Sequence, residues 1–248
     1  MRCSRPILLK MPSRVIWCLG MYASASTWMF NAVREIQAAA GTSGVSVQFV
    51  RSTVDLDQLD RRGPVHIVKS HEITSEAVLM ALAARSDTIL VTIREPRDAV
   101  ASVMEYHHQG FAKALTLVKE SSALCLDFMK DRRARCFSYE TQFFDDRRTL
   151  HNLARIMGCA ISDEAAHQCF DRLSRPAVEN LIAQFPHRKG ILQDPISGDY
   201  LDPKTQWHTC HAGRSGEIGR WRHKLSPAQA REVEALVECQ RMHRLAVA

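Results

Sequence analysis

Residues 14–31, RVIWCLGMYASASTWMFN, decide how this chain is read. Val15-Ile16-Trp17-Cys18-Leu19 is apolar on both strand faces, as a strand covered by helices on either side would be. Gly20-Met21-Tyr22-Ala23-Ser24-Ala25-Ser26-Thr27 follows as a loop, and Trp28-Met29-Phe30, Val33 and Ile36 continue at helical spacing. A loop that runs into a helix presents successive backbone N–H groups and the positive end of the helix dipole, a cradle for phosphate or sulfate. Against G-x-x-x-x-G-K-[ST], Gly20 and Thr27 fit, Ala25 replaces the second glycine, and Ser26 stands where the lysine belongs. Without that lysine, magnesium-nucleotide hydrolysis is disfavoured. An anionic nucleotide that needs no metal is favoured.

Further along, short β-rich runs alternate with helical patterns. Strands are expected at 15–20, 46–50, 65–69, 88–93 and 134–138. Helices are expected at 26–40, 74–84, 97–108, 112–131, 147–157, 163–173, 176–184 and 227–245. This alternation predicts an α/β fold: a single P-loop-type domain with a central parallel sheet flanked by helices and ligands at the strand C-termini. Residues 1–13 read as a tail, with Met11 an alternative start, and 14–248 as the domain. From about 185 to 216, prolines and glycines break every periodicity, so a lid or binding loop is expected there.

The chain has 248 residues, 46% of them hydrophobic, enough for one well-packed core. Its 33 Lys+Arg against 27 Asp+Glu leave a formal charge of +6. That suits an acidic small ligand, but the basic residues form no run or stripe of the kind that grips nucleic acid. No apolar run approaches the ~20 residues that span a bilayer. Eight scattered cysteines without a C-x-x-C pair suit a reduced, cytoplasmic protein. His107-His108 and Cys210-His211 sit at no spacing that closes a tetrahedral set, so no metal is expected.

Each expected strand end carries polar residues. The third ends in Lys69-Ser70-His71, the fourth in Arg94-Glu95-Pro96-Arg97-Asp98 with Ser102 beyond, and the fifth in Tyr139-Glu140. Gly213-Arg214-Ser215-Gly216 and Gly219-Arg220-Trp221 close the long loop. In this order, from about 14 to about 226, they resemble the sulfotransferases that use 3′-phosphoadenosine-5′-phosphosulfate (PAPS). Ser24-Ala25-Ser26-Thr27-Trp28 is similar to that family's S-G-[ST]-T-W loop for the 5′-phosphosulfate. Arg94 to Ser102 is similar to its R-x-P-x-D-x-x-x-S motif for the 3′-phosphate, and Arg214-Ser215-Gly216 to its R-K-G segment. Lys69-Ser70-His71 is similar to the K-[TS]-H segment that holds the catalytic histidine.

The resemblance implies a sulfotransferase with PAPS as co-substrate and no metal. Tyr22 to Trp28, Arg94, Ser102, Tyr139, Arg214, Ser215 and Gly216 would bind the donor, Trp28 and Tyr139 offering flat surfaces for adenine. His71 would be the general base and Lys69 the charge on the bridging oxygen, with a hydroxyl or amine as acceptor: a small molecule, glycan or lipid. Residues 104–125 and 185–212 would shape the acceptor site. The residue types suit these roles: arginine forks onto phosphate, and histidine titrates near neutral pH.

Three departures stand out. Ala23 replaces a usual lysine or arginine, Tyr22 a usual proline, and Ser215 a usual lysine. Loss of a cation near the leaving oxygen slows transfer by on the order of 10²–10³. Lys69 or another arginine could supply it, or the chain binds the donor without efficient turnover. An ATP-dependent phosphotransferase is the other enzyme reading, but residues 20–28 and 88–94 lack its lysine and its acidic metal ligand.

Overall fold

The computed structural model describes residues 13–59, 63–195, 197–211 and 216–247. Five strands, β1 (Arg14–Gly20), β2 (Val45–Phe49), β3 (Val65–Ser70), β4 (Ser86–Ile93) and β5 (Ala134–Ser138), form a parallel sheet in the order β2-β3-β1-β4-β5. The fold is the expected α/β architecture. β1 lies at the centre; the chain runs first to the edge strand β2, returns to β3 between them, and then crosses to β4 and β5 on the other side. The C-terminal ends of β1, β3 and β4 therefore converge where ligands bind in such sheets.

The alternation of side chains along β1 explains why both faces are covered. Val15, Trp17 and Leu19 enter one core layer; Ile16 and Cys18 enter the other. The first layer is closed by α3 (Glu76–Arg85), α4 (Pro96–Tyr106), α5 (Phe111–Phe128) and α9 (Pro227–Val247). The second is closed by α1 (Ser26–Ala39), α6 (Arg148–Ile156), α7 (Asp163–Leu173) and α8 (Arg175–Ala183). Trp17 is fully buried, and its Nε1 donates to Ser70 Oγ at 2.5 Å, so even this polar atom ties β1 to β3. Among the described residues no helix is long and apolar enough to cross a membrane, and no disulfide is present.

Several expected boundaries move by one or two residues. One short helix, α2 (Thr53–Leu59), is not anticipated by the sequence pattern. Its seven residues bury only Leu56 and Leu59, too few to show helical periodicity; Asp55 holds the turn by accepting from Arg51 N, Ser52 N and Ser52 Oγ. Ser226 and Gln229 cap α9 reciprocally, as a serine before a proline suggests. Glu95 caps α4, accepting from Asp98 N at 2.9 Å. The 185–216 stretch contains a small hairpin of β6 (Leu192–Gln193) and β7 (Tyr200–Leu201) and short 3-10 turns.

Gly20 closes β1 where no larger residue fits. A Cβ there would overlap Ser26 and lie 2.8 Å from Thr92 Oγ1. Gly20→Ala is expected to lower stability by about 1–3 kcal/mol in urea unfolding, the usual cost of overpacking. An unchanged midpoint would show that the turn has room to spare.

Candidate active site

The β1–α1 turn is built on backbone conformations that alanine adopts reluctantly. Ala23 (φ 59°) and Ala25 (φ 63°) both lie in the left-handed region, on either side of Ser24. Alternation of this kind turns N–H groups toward one concave side. Ser24 is fully buried; its Oγ donates to Met21 O at 2.6 Å and meets Thr92 Oγ1 at 2.8 Å, anchoring the turn to β4. Helix α1 has no acidic residue in its first turn and no side-chain cap at Ala25, so its positive end stays uncompensated.

Parallel pairing places β3 beside this turn. Cys18 is opposite Lys69 and Leu19 opposite Ser70, so His71 lies just past the pair, level with Gly20. Lys69 is 2% exposed, and its Nζ donates to Thr27 Oγ1 at 2.7 Å. Burial holds its pKa down at about 7. His71 Nδ1 donates to Gly20 O at 2.6 Å, which leaves Nε2 as the basic nitrogen, 3.4 Å from Ser26 Oγ. Burial, followed by the Lys69 charge, pushes its pKa down to about 3, so the imidazole is neutral at physiological pH. Tyr22, expected on the donor loop, stacks on the His71 ring (centroids 4.6 Å, planes 17° apart) and orients it. His107 meets Tyr22 edge-on at 6.1 Å.

Arg94 joins three segments. It is 5% exposed; Nη1 donates to Ala23 O at 3.1 Å and Nη2 to Glu217 O at 3.2 Å. Its Nε is buried with no hydrogen-bond partner among the described residues. Its guanidinium lies 4.0 Å over the Tyr139 ring, and Tyr139 Oη donates to Gly216 O at 2.9 Å. Asp98 accepts from Gly219 N (2.6 Å) and Trp221 N (2.9 Å), fastening the C-terminal segment to α4. Trp28 is 6% exposed against Phe143, with its Nε1 also unpartnered among the described residues. Ser102 is half-buried on α4. Arg214 and Ser215 lie outside the described residues.

The fold thus gathers the loop, Lys69, His71, Arg94, Tyr139 and Gly216 at one end of the sheet. Sequence reading overlooked Thr92, the stacking of Tyr22, and Asp98 as a clamp on residues more than a hundred positions away. Only the aspartate carried a signal, as part of R-x-P-x-D. An open cleft of about 580 Å³ is lined by Arg51, Glu72, Ile73, Thr74, Glu120, Leu124 and Asp127, of which Glu72 follows His71 in the chain.

The chain has the α/β fold of the sulfotransferases. Mouse sulfotransferase SULT7A1 complexed with PAP superposes with a TM-score of 0.64 at 14% identity, covering 95% of this chain and 88% of that one. Retinol dehydratase in complex with androsterone and the inactive cofactor PAP gives 0.56 at 15%, covering 93% and 82%. Retinol dehydratase with retinol and PAP gives 0.58 at 15%, with the same coverage. No protein-family model matches the chain, and no curated protein sequence matches it significantly.

The buried lysine yields a pH test with a definite sign. Between its folded pKa of about 7 and the ordinary 10.5, the unfolded chain holds a proton that the folded chain does not. Stability therefore rises with pH across that window. Lys69→Met should melt above the wild type at pH 6, and the gap should narrow steadily as pH climbs from 7 toward 10.5. Parallel melting profiles would show that Lys69 is not held neutral by burial.

Proposed function

We propose that this chain transfers a sulfuryl group from PAPS to a hydroxyl or amine. One observation carries the reading: Lys69 and His71 both reach the start of α1, at Thr27 and Ser26, where the backbone is arranged for an anion. The residues fit the donor. Arg94 and Trp28 each keep a buried N–H with no hydrogen-bond partner among the described residues, and the left-handed turn at 23–25 suits a phosphosulfate.

The backbone of residues 22–28 would hold the 5′-phosphosulfate, while Arg94, Ser102 and the Arg214–Gly216 segment would hold the 3′-phosphate. Trp28 and Tyr139 border the adenine region. When bound, the donor supplies the sulfuryl group. His71 Nε2 takes the acceptor proton, its tautomer fixed by Gly20 O and its plane by Tyr22. Lys69 supplies the positive charge that Ser26 and Ala23 cannot, and an anion beside it favours its protonated form. The Arg94 bond to Ala23 O adds a second cation on the loop backbone. The acceptor is a small molecule, glycan or lipid entering above His71. We place the protein in the cytoplasm, residues 14–248 forming the catalytic domain.

Ala23 favours a second reading, a nucleotide-binding protein without efficient turnover. Calorimetry with 3′,5′-adenosine bisphosphate and transfer assays on an acceptor panel separate the two. The wild type should bind and transfer; His71→Ala should keep its affinity while turnover falls on the order of 10²–10⁴-fold. Binding without any transfer supports the second reading, and absence of binding removes both.

A further inference from the structure

The geometry points to a zinc-type metal site formed by Asp199, His208 and Cys210 beside the candidate active site. In sequence the three look unrelated, because a loop separates the aspartate from the other two. The turn after β7 brings them together, with all three ligand atoms within 4.8 Å of one another. His208 Nδ1 lies 3.0 Å from Asp199 Oδ2, and Cys210 Sγ lies 3.5 Å from the same oxygen. Tetrahedral zinc, with bonds of about 2.0–2.3 Å, sets neighbouring ligand atoms roughly 3.3–3.6 Å apart. Of the two separations, one lies just below that range and the other within it, so small side-chain shifts admit the ion.

The donor chemistry also selects. A thiolate, an imidazole and a carboxylate suit zinc and leave a fourth position open, whereas magnesium and calcium prefer sets made wholly of oxygen. The surroundings orient the ligands as outer-shell contacts do in metal sites. Asp199 Oδ1 accepts from Thr209 Oγ1, and that hydroxyl oxygen accepts from Tyr200 N at 3.1 Å. Asp199 O accepts from Asp194 N at 2.8 Å across the hairpin. On binding, the Cys210 thiol proton leaves to solvent and the His208 proton moves to Nε2, freeing one lone pair on each for the metal.

The cluster adjoins the Lys69 pair. His208 and Cys210 lie close enough to Lys69, and His208 to His71 and His107, for their charges to be felt. Lys69 is the cation that opposes a metal here; the Asp199 carboxylate and the Cys210 thiolate set two negative charges against it. A bound ion would fasten the β6–β7 hairpin and the residues after it beside Lys69 and His71, within the stretch expected to shape acceptor choice. This site stands independently of the donor, because metal binding is scored without nucleotide or acceptor.

The test uses the purified full chain, stripped by a chelator and titrated with Zn²⁺ alone in a calorimeter. Cobalt(II) then serves as the spectroscopic probe, since thiolate ligation produces a charge-transfer absorption. One equivalent should bind per chain. Cys210→Ser should abolish the cobalt band, Asp199→Asn should weaken zinc binding on the order of 10- to 100-fold, and Cys239→Ser should change nothing. The last is a control for Cys239 and His243, a two-ligand pair at 3.8 Å on the outer side of α9. If Cys210→Ser does not fold, His208→Gln is read in the same way. Absence of zinc binding, a cobalt band that survives both Cys210→Ser and His208→Gln, or a band lost in Cys239→Ser would each overturn the site.

Discussion

The parallel pairing of β1 with β3 is the constraint on which the rest depends. Cys18 is opposite Lys69 and Leu19 opposite Ser70, which leaves His71 level with the Gly20 carbonyl. A slip of one residue would send Lys69 into the opposite layer and carry His71 away from the loop. The register is enforced by burial on both faces, since alternate residues of β1 belong to two different core layers. Trp17 adds a hydrogen bond to Ser70, a direct lock between the same two strands. The polar groups at the strand ends are thus aimed by the core.

The price of that aim is electrostatic. Lys69 and His71 are both almost fully buried, and burial favours the neutral form of each. For the histidine this keeps the ring unprotonated but weakly basic, with the Gly20 carbonyl selecting the tautomer. For the lysine it leaves a charge that an anion can restore. The loop lacks a cation of its own, yet Lys69 from β3 and Arg94 from just past β4 both reach it. Positive charge that the loop itself lacks approaches it here from its flanks.

Arg94 and Asp98 show a second division of labour. The arginine bridges Ala23 and Glu217 and rests on Tyr139; the aspartate holds Gly219 and Trp221. Together they fold the C-terminal segment over the end of β4. Any ligand between loop and segment would be met from both sides by groups already positioned.

The sequence by itself determined the sheet and most of its helices, because apolar runs of five or six residues and helical stripes of ten or more are local patterns. It also singled out Lys69, His71 and Arg94, since a polar residue at the end of a buried strand stands out against the apolar run before it. It could not show α2, which is too short for a period, nor the stacking of Tyr22 on His71, nor the grip of Asp98 on Gly219. Nor could it join Asp199 to His208 and Cys210. Those depend on which strand ends become neighbours and how the segment after β7 turns back, and such proximity is decided by packing the whole chain around one sheet.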